Sequence, residues 1–434
     1  MKERHKAYSH VKKTDPAVFN LITGELDRQQ NGLEMIPSEN YASRAVLEAM
    51  GSIFNNKYSE GFPKKRYYGG QTYTDKLEQL AIDRAKKLFG VSHVNVQPYS
   101  GSPANQAVYL ALCKPGDTVM GMQLQHGGHL THGHKVNFSG IYFNSVGYGV
   151  DKNGFIDFNQ VEALLKKHRP KLIFAGATAY PREYDFKTFG RLARKYGAFF
   201  VADIAHIAGL VVAGVHQSPA GKADVITSTT HKTLRGPRAG IILCNGATSN
   251  PLKKPAKINR RNLPSLIDRA IFPGLQGGPH EHTIAGIAVA LKEAGTSKFK
   301  NWAKQVVTNA QVMAEVFLER DFKLISGGTD NHLILMDVTS KGINGEEAEK
   351  LLDKIGISVN KNMIPNDSRS PFSPSGIRLG TPCATTRGMK AKEMKILAEA
   401  MSDALENRKN SKVIKKSEKI VRELCQQFPI YPEL

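Results

Sequence analysis

The strongest constraint on the fold is a series of short apolar segments that alternate with helical segments in the middle of the chain. Residues 171–176 and 198–203 are apolar almost throughout, and the segment 224–230 is a short apolar run that breaks into Ser and Thr. Residues 189–196, between the first two segments, have helical periodicity. Strands that are apolar on both faces belong to sheets covered by helices on both sides. The pattern therefore predicts an α/β protein with a mostly parallel central sheet.

Polar side chains follow these strands at their carboxyl ends, where sheets of this kind bind ligands: Asp203, His206 and Lys232. A lysine amine attacks carbonyl groups when its surroundings lower its pKa, as in enzymes that bind pyridoxal phosphate (PLP). Taken alone, Lys232 is more simply an ordinary loop lysine. An aspartate on the preceding strand favours the functional interpretation, because a carboxylate beside a pyridine nitrogen keeps that nitrogen protonated.

An anion site is indicated at Gly101 and Ser102, in a Ser-Gly-Ser turn between a predicted strand at 91–96 and an apolar helix. Backbone N–H groups and hydroxyls converge in such a turn, so a phosphate fits there, although an ordinary helix N-cap is the alternative. The histidine-rich segment 126–134 contains neither cysteine nor carboxylate. We therefore expect no metal site in it, and a histidine stacked on a ring instead.

The loop at residues 56–70 mixes glycine, tyrosine and arginine around a single carboxylate, Glu60. This composition suits the lining of a site as well as an exposed Ω-loop. The chain has 434 residues, enough for more than one core. We expect an N-terminal arm and helix at 1–55, a large domain at 56–293, and a smaller α+β domain at 294–434.

Composition limits the setting and the partners. The charged N-terminus, the lack of a long apolar run and four widely spaced cysteines predict a cytoplasmic protein without a membrane span. The net charge of +21 attracts anions. The basic stretches 251–261 and 390–419 contain no interleaved aromatic residues, which favours a solvated basic face over a nucleic-acid site.

Eight motifs, in order along nearly the whole chain, closely resemble the serine hydroxymethyltransferase family of fold-type I PLP enzymes. They begin at Pro37 (PSENY), Asn56 (NKYSEG), Arg66 (RYYGG), His126 (HGGHLTHG), Asp203 (DIAHIAG), Thr229 (TTHKTLRGPR), Gln276 (QGGP) and Ser375 (SGIRLGTP).

The resemblance implies a role for each matching residue. Lys232 is the expected attachment point of PLP, Asp203 the partner of its ring nitrogen, and His129 the residue stacked on the ring. The other residues implied to contact the cofactor are Gly101, Ser102, Thr178, His206 and His231, with Gly277 and Gly278 reaching the cofactor of a second subunit. Arg378 and Ser38 are the expected ligands of the substrate carboxylate.

The implied reaction interconverts serine plus tetrahydrofolate with glycine plus 5,10-methylenetetrahydrofolate, through an external aldimine and a quinonoid. Glu60 is the expected acid–base group, with Tyr58 and Tyr68 facing the reacting centre and His231 near it. The residues implied to bind folate are Glu60, Leu124, Gly128, Leu130 and Asn362. The resemblance also implies a homodimer, or a tetramer, in which Tyr58 comes from the partner.

Two features depart from the family pattern. Thr178 stands where many members have serine, which keeps the hydroxyl, and the basic loop at 251–269 is longer than in common bacterial forms. We expect this loop to assist binding of polyglutamylated folate. The alternative functions are a folate-independent β-hydroxyamino-acid aldolase, which would share the lysine and aspartate, and an RNA-binding protein that has lost catalysis.

Overall fold

The computed structural model describes residues 6–245 and 262–434. In these two ranges the α-helices are α1 (Ser9–Thr14), α2 (Pro16–Asn31), α3 (Arg44–Met50), α4 (Thr72–Phe89), α5 (Gly101–Leu112), α6 (Phe138–Ile141), α7 (Phe158–His168), α8 (Phe186–Tyr196), α9 (Ala208–Val212), α10 (Leu263–Arg269), α11 (Glu281–Ala294), α12 (Ser297–Glu319), α13 (Gly345–Lys354), α14 (Pro382–Thr386), α15 (Ala391–Glu406) and α16 (Ser411–Gln427).

The strands in the same ranges are β1 (Leu33–Glu34), β2 (Gly61–Phe62), β3 (Lys65–Arg66), β4 (His93–Asn95), β5 (Thr118–Met122), β6 (Asn144–Tyr148), β7 (Leu172–Ala175), β8 (Phe199–Asp203), β9 (Val225–Thr229), β10 (Gly240–Cys244), β11 (Lys323–Leu324), β12 (Leu333–Asp337), β13 (Ile357–Ser358), β14 (Asn360–Asn362) and β15 (Gly376–Gly380).

The central sheet has seven strands in the order β4-β10-β9-β8-β7-β5-β6. The five strands β9-β8-β7-β5-β6 run parallel to one another. Strand β10 is antiparallel to both β9 and β4. The predicted α/β class with a mostly parallel sheet is therefore confirmed. In the register of β8 and β9, Asp203 lies opposite Thr227, so the polar ends of these two strands lie side by side.

The interior strands of the sheet are buried, as in β7, where all four residues are apolar and buried, whereas the edge strand β6 is largely exposed. On one face, α5 and α10 pack through a core that contains Tyr109, Phe174 and Ile267. One of the helices on the sheet, α8, begins at a capping side chain and ends at a glycine. The Asp185 side chain accepts the N–H of Thr188, and Gly197 ends the helix in a left-handed conformation.

The chain divides into two compact units. One comprises Met1–Glu39 with Gln305–Leu434, and the other comprises Asn40–Lys304. The second unit contains the seven-stranded sheet. The domain boundaries expected from the sequence, after residues 55 and 293, remain a prediction.

The first unit has its own core around a four-stranded antiparallel sheet, β11-β12-β15-β14. Buried side chains from its helices and strands, such as Phe317, Met336 and Leu397, form this core. Much of the predicted N-terminal arm is the helix α2. Asp15 caps this helix by accepting the N–H groups of Ala17 and Val18, and Phe19 and Leu26 are buried.

Among the helices that the structure describes, none combines the length and the apolar character that crossing a bilayer requires. The basic stretch 251–261 lies outside the described residues. Of the longer loop at 251–269, the described part includes α10, whose first turn is capped by the side chain of Asn262.

Candidate active site

A cavity of about 220 Å³ lies in the second unit at the carboxyl ends of β8 and β9. Its walls bring together most of the residues that the sequence suggests for cofactor binding. The lining residues are Ser100, Gly101, Ser102, Asn105, His129, His132, Ala177, Thr178, Asp203, Ala205, His206, Thr229, His231, Lys232 and Arg238. This position agrees with the expectation that ligands bind at strand ends in an α/β sheet.

Asp203 provides a fixed negative charge in the cavity. Its Oδ2 accepts a hydrogen bond from Asn105 Nδ2 at 2.9 Å and lies 3.0 Å from His132 Nε2. Its Oδ1 accepts the N–H of Ala205 at 3.1 Å. Burial opposes ionisation, but the hydrogen bond and charge of His132 outweigh it and hold the pKa of Asp203 well below its usual range.

Lys232 follows β9 in a tight, buried turn. Its carbonyl accepts hydrogen bonds from Asn40 Nδ2 at 3.2 Å and from the N–H of Arg235 at 3.1 Å. The next residue anchors the turn, because Thr233 Oγ1 donates to the carbonyl of His206 at 2.9 Å and accepts the N–H of Gly209 at 3.0 Å. The base of the lysine is therefore tied to the segment that follows Asp203.

The Ser-Gly-Ser turn forms the start of α5. The first N–H groups of a helix have no partners within the helix, and the Ser100 side chain does not cap them. A Cβ on Gly101 would lie 2.7 Å from Thr229 Cγ2, and one on Gly240 would lie 2.4 Å from the carbonyl oxygen of Ser100. Glycine at both positions lets the turn approach the strands closely and places anion-binding N–H groups at the cavity.

His129 is held in one tautomer. Its Nδ1 accepts the N–H of Thr131 at 3.2 Å and lies 2.7 Å from Thr131 Oγ1. Because Nδ1 accepts a backbone N–H it carries no proton, so the Thr131 hydroxyl donates to it and the ring proton is on Nε2. Burial, and next the charge of His132, lower the pKa of His129 to about 4. The imidazole of His129 is therefore neutral, which suits it to packing on an aromatic ring.

The cavity also contains polar atoms that a ligand would satisfy. His231 Nδ1 is buried and has no hydrogen-bond partner within the described residues. Burial, and next the positive charge of Arg238, lower the pKa of His231 to about 3, so this ring is also neutral. Thr178, the residue that departs from the family's serine, lines the cavity and donates its hydroxyl to the carbonyl of Gly128 at 3.0 Å.

Two residues that sequence reasoning missed, His132 and Asn105, support Asp203 directly. Asn105 Nδ2 bridges Asp203 and Thr131, and its Oδ1 accepts from Thr227 Oγ1 at 2.7 Å. The spacing contained a signal, because Asn105 lies one helical turn after Gly101 and so shares its face of α5. No group of three or more His, Cys, Asp or Glu in the described part of the chain could hold a metal ion.

A second cluster lies outside the cavity lining and contains Glu60. The hydroxyl of Tyr58 donates to Glu60 Oε1 at 3.2 Å, and the rings of Tyr58 and Tyr68 lie 5.0 Å apart. A Cβ on Gly277 would lie 3.2 Å from Glu60 Oε1, and one on Gly278 would lie 3.7 Å from Tyr58. The negative charge of Glu60 raises the pKa of Tyr58. Within one chain, the acid–base candidate thus lies apart from the residues around Lys232.

The residues suggested for folate and for the substrate carboxylate are divided between the two units. In the second unit, Leu124 and Leu130 are exposed, and Gly128 approaches the chain so closely that a Cβ would lie 2.0 Å from the carbonyl oxygen of Met122.

The first unit contains Ser38, Asn362 and Arg378. Arg378 is buried on β15, and its Nε donates to Asn360 Oδ1 at 3.0 Å. Burial lowers the pKa of Arg378 to about 10.

The cavity fits PLP in its anion-binding turn, its buried carboxylate and its neutral histidines. With the mostly parallel sheet and its helices, these features define the class of the protein, a PLP-dependent enzyme of fold-type I. A family model for serine hydroxymethyltransferase matches residues 11–401 of the chain, which therefore belongs to the serine hydroxymethyltransferase family. Members of this family are PLP-dependent one-carbon transferases that interconvert serine and glycine and use tetrahydrofolate as cosubstrate.

Proposed function

We propose that this chain interconverts serine plus tetrahydrofolate with glycine plus 5,10-methylenetetrahydrofolate, with Lys232 as the attachment residue of PLP. The observation that carries the proposal is that Lys232, Asp203, His129 and the Ser100–Ser102 turn all line one cavity. When bound, PLP supplies an aldehyde that captures amines and a ring that withdraws electrons. The covalent intermediates implied by the sequence resemblance remain a prediction.

Each cavity residue has a proposed task that follows from its chemistry. Asp203, ionised and hydrogen-bonded, holds the proton on the ring nitrogen, and the neutral His129 packs on the ring. Ser102 and the N–H groups of the α5 N-terminus bind the phosphate. The remaining cavity residues assigned to the cofactor are Gly101, Thr178, His206 and His231.

Substrate binding and proton transfer involve residues beyond this cavity. The planar guanidinium of Arg378 and the hydroxyl of Ser38 bind the substrate carboxylate. Glu60 moves the proton of the substrate hydroxyl or of the folate, with Tyr58 hydrogen-bonded to it and Tyr68 beside Tyr58. We assign folate to Glu60 together with Leu124, Gly128, Leu130 and Asn362.

A homodimer with shared sites is part of the proposal, with a tetramer as the larger alternative. Several large apolar side chains on and around the Glu60 loop are exposed in the single chain, among them Ile53, Tyr58, Tyr67, Tyr68 and Tyr73. An apolar patch of this kind is typical of a protein interface. Tyr58, Gly277 and Gly278 would then serve the partner's site. We also propose that the protein works in the cytoplasm.

The decisive experiment measures serine cleavage with and without tetrahydrofolate, in the wild type and in Lys232→Ala. We expect cleavage to depend on folate, and a cofactor absorbance band near the visible edge to disappear in the variant because the covalent attachment is lost. Cleavage at an unchanged rate without folate would instead identify an aldolase. Absence of both the absorbance band and the reaction would favour the alternative of an RNA-binding protein that has lost catalysis.

A further inference from the structure

A buried ionic cluster holds the peptide segment that contains Glu60, and nothing in the reaction chemistry described above uses it. Its centre is Arg66 on β3, whose side chain is 3 % exposed. The Nη1 group of Arg66 donates to the carbonyls of Ser59 at 2.8 Å and Gly61 at 3.1 Å, which are the residues on either side of Glu60. The guanidinium therefore fixes the backbone of the proposed acid–base residue from both sides.

Other groups hold the same segment. Gln97 Nε2 donates to the Gly61 carbonyl at 2.9 Å, and the N–H of Tyr67 donates to the Glu60 carbonyl at 3.1 Å. The Ser59 hydroxyl donates to Glu281 Oε1 at 2.6 Å. Glu281 is the first residue of α11 and follows Gly277 and Gly278 closely in sequence, so the cluster also ties the Glu60 loop to the segment with these glycines.

Three carboxyl groups face the guanidinium of Arg66, so the cluster has an excess of negative charge when all three are ionised. Arg66 contacts Asp75 at 2.9 Å and Glu78 at 2.7 Å, both on α4, whereas Glu281 Oε1 lies 3.9 Å from Arg66 Nη1. Glu281 Oε2 is buried with no hydrogen-bond partner among the described residues. The titratable neighbours of Glu281 at the start of its own helix are His280, which stacks on Tyr99, and His282, whose ring lies 5.8 Å from that of His280.

We propose that Arg66 is a positioning residue for Glu60, and that Glu281, when ionised, competes for the Nη1 group that holds the peptides around Glu60. The inference rests on the proposed function, because it assigns Glu60 its catalytic task. The distances support the competition, since the Nη1 atom that serves both carbonyls is the one nearest to Glu281. Burial, and next the charge of Glu78, raise the pKa of Glu281 to about 7, which places the change in the neutral range.

The test uses Glu281→Gln, which cannot ionise but keeps an oxygen that accepts from Ser59. Hydrogen exchange in the peptide containing residues 58–67 is measured in the apoprotein at about pH 6 and about pH 8, on either side of the raised pKa of Glu281 of about 7, and corrected for intrinsic exchange. We expect protection to fall several-fold at the higher pH in the wild type and to stay constant in the variant. Glu293→Gln is the matched control, because Glu293 is on the same helix and accepts from Ser43 at 2.6 Å.

Two kinetic measurements complete the test. In Glu281→Gln the alkaline decline of kcat should be reduced, with the KM for serine unchanged, while Glu293→Gln should follow the wild type. Arg66→Lys should lower kcat several-fold without changing the cofactor absorbance, since lysine keeps the charge but loses the fork. Protection independent of pH in the wild type, or an equal loss in Glu281→Gln, would overturn the proposal. The exchange measurement needs no turnover, so failure of the proposed reaction would be seen separately.

Discussion

His129 illustrates how the site controls protonation at the scale of a single residue. Its Nδ1 accepts from Thr131, and burial keeps its pKa at about 4. In the unfolded chain a histidine takes up its proton at an ordinary pKa of 6.5. Between these two values the unfolded state binds more protons than the folded state, so the contribution of His129 to the free energy of unfolding is lost as the pH falls.

We therefore predict that His129→Phe reduces the acid sensitivity of the apoprotein. Phenylalanine keeps a flat ring but cannot be protonated. From about pH 7 to about pH 5 the wild type should lose roughly 1–2 kcal/mol more unfolding free energy than the variant, as measured by urea denaturation. His168→Phe, at an exposed position at the end of α7, should leave the wild-type acid sensitivity intact. Equal acid sensitivity in the His129 variant and the wild type would contradict this account.

The residues around Asp203 show which parts of the site the sequence could reveal. Lys232, Asp203 and the Ser-Gly-Ser turn each have a chemical signal in the sequence, and all three line the cavity. His132 and Asn105 carry no such signal alone, because their role is to contact a carboxylate that is distant in sequence. Asn105 lies 98 positions from Asp203, and only the packing of α5 against β9 and β10 brings them to 2.9 Å.

At the scale of elements, the function of α5 depends on how closely its first turn approaches β9. We predict that Gly101→Ala weakens PLP binding about tenfold or more, because the added methyl group would lie 2.7 Å from Thr229 Cγ2 and must displace the anion-binding turn. Titration of the apoprotein with PLP, followed by absorbance, measures this.

Gly24→Ala on α2 is the matched control for this change. Apart from the adjoining residues and the backbone of the helix itself, no heavy atom of the described residues lies within 4 Å of a Cβ at Gly24, so this substitution should leave PLP binding intact. It should also stabilise the protein by about 0.5–1 kcal/mol, because alanine loses less conformational entropy in a helix. Tight PLP binding by Gly101→Ala would show that the turn can move without loss of function.

Strand direction marks the limit of sequence reasoning at this scale. The run of buried strands predicted the sheet, but the antiparallel strand β10, which lies between β9 and β4, was not predicted. A five-residue apolar segment has the same pattern in either direction, so only its pairing partners determine its orientation. Likewise, the polar N-terminal sequence concealed α2, which buries just two side chains, Phe19 and Leu26.

At the scale of the whole molecule, the net charge of +21 has a specific expected use. We predict that replacing the five basic residues of 251–261 with glutamine lowers affinity for polyglutamylated folate more than for monoglutamylated folate. Only the polyglutamylated form has additional carboxylates that would lose their contacts with these side chains. These five are Lys253, Lys254, Lys257, Arg260 and Arg261. Binding titrations at two salt concentrations test this, because screening should reduce the same preference.

A control for total charge removes five exposed lysines around α16. These are Lys409, Lys412, Lys415, Lys416 and Lys419. The net charge is then the same in both variants, and only the position of the change differs. An equal loss of polyglutamate preference in the two variants would attribute it to the overall field of the protein.

Within one chain, Glu60 contacts Tyr58 and lies close to Gly277, but it does not line the cavity that contains Lys232. A shared dimer would resolve this separation, because the partner's loop would complete each site. We therefore predict that Lys232→Ala and Glu60→Gln, each inactive in folate-dependent transfer, regain activity when they are unfolded together and refolded as a mixture. In a hybrid dimer one site would carry both changes and the other neither, so a random equal mixture should reach about a quarter of the wild-type activity. Sites built from a single chain would leave every site with one change, and the mixture would then stay inactive.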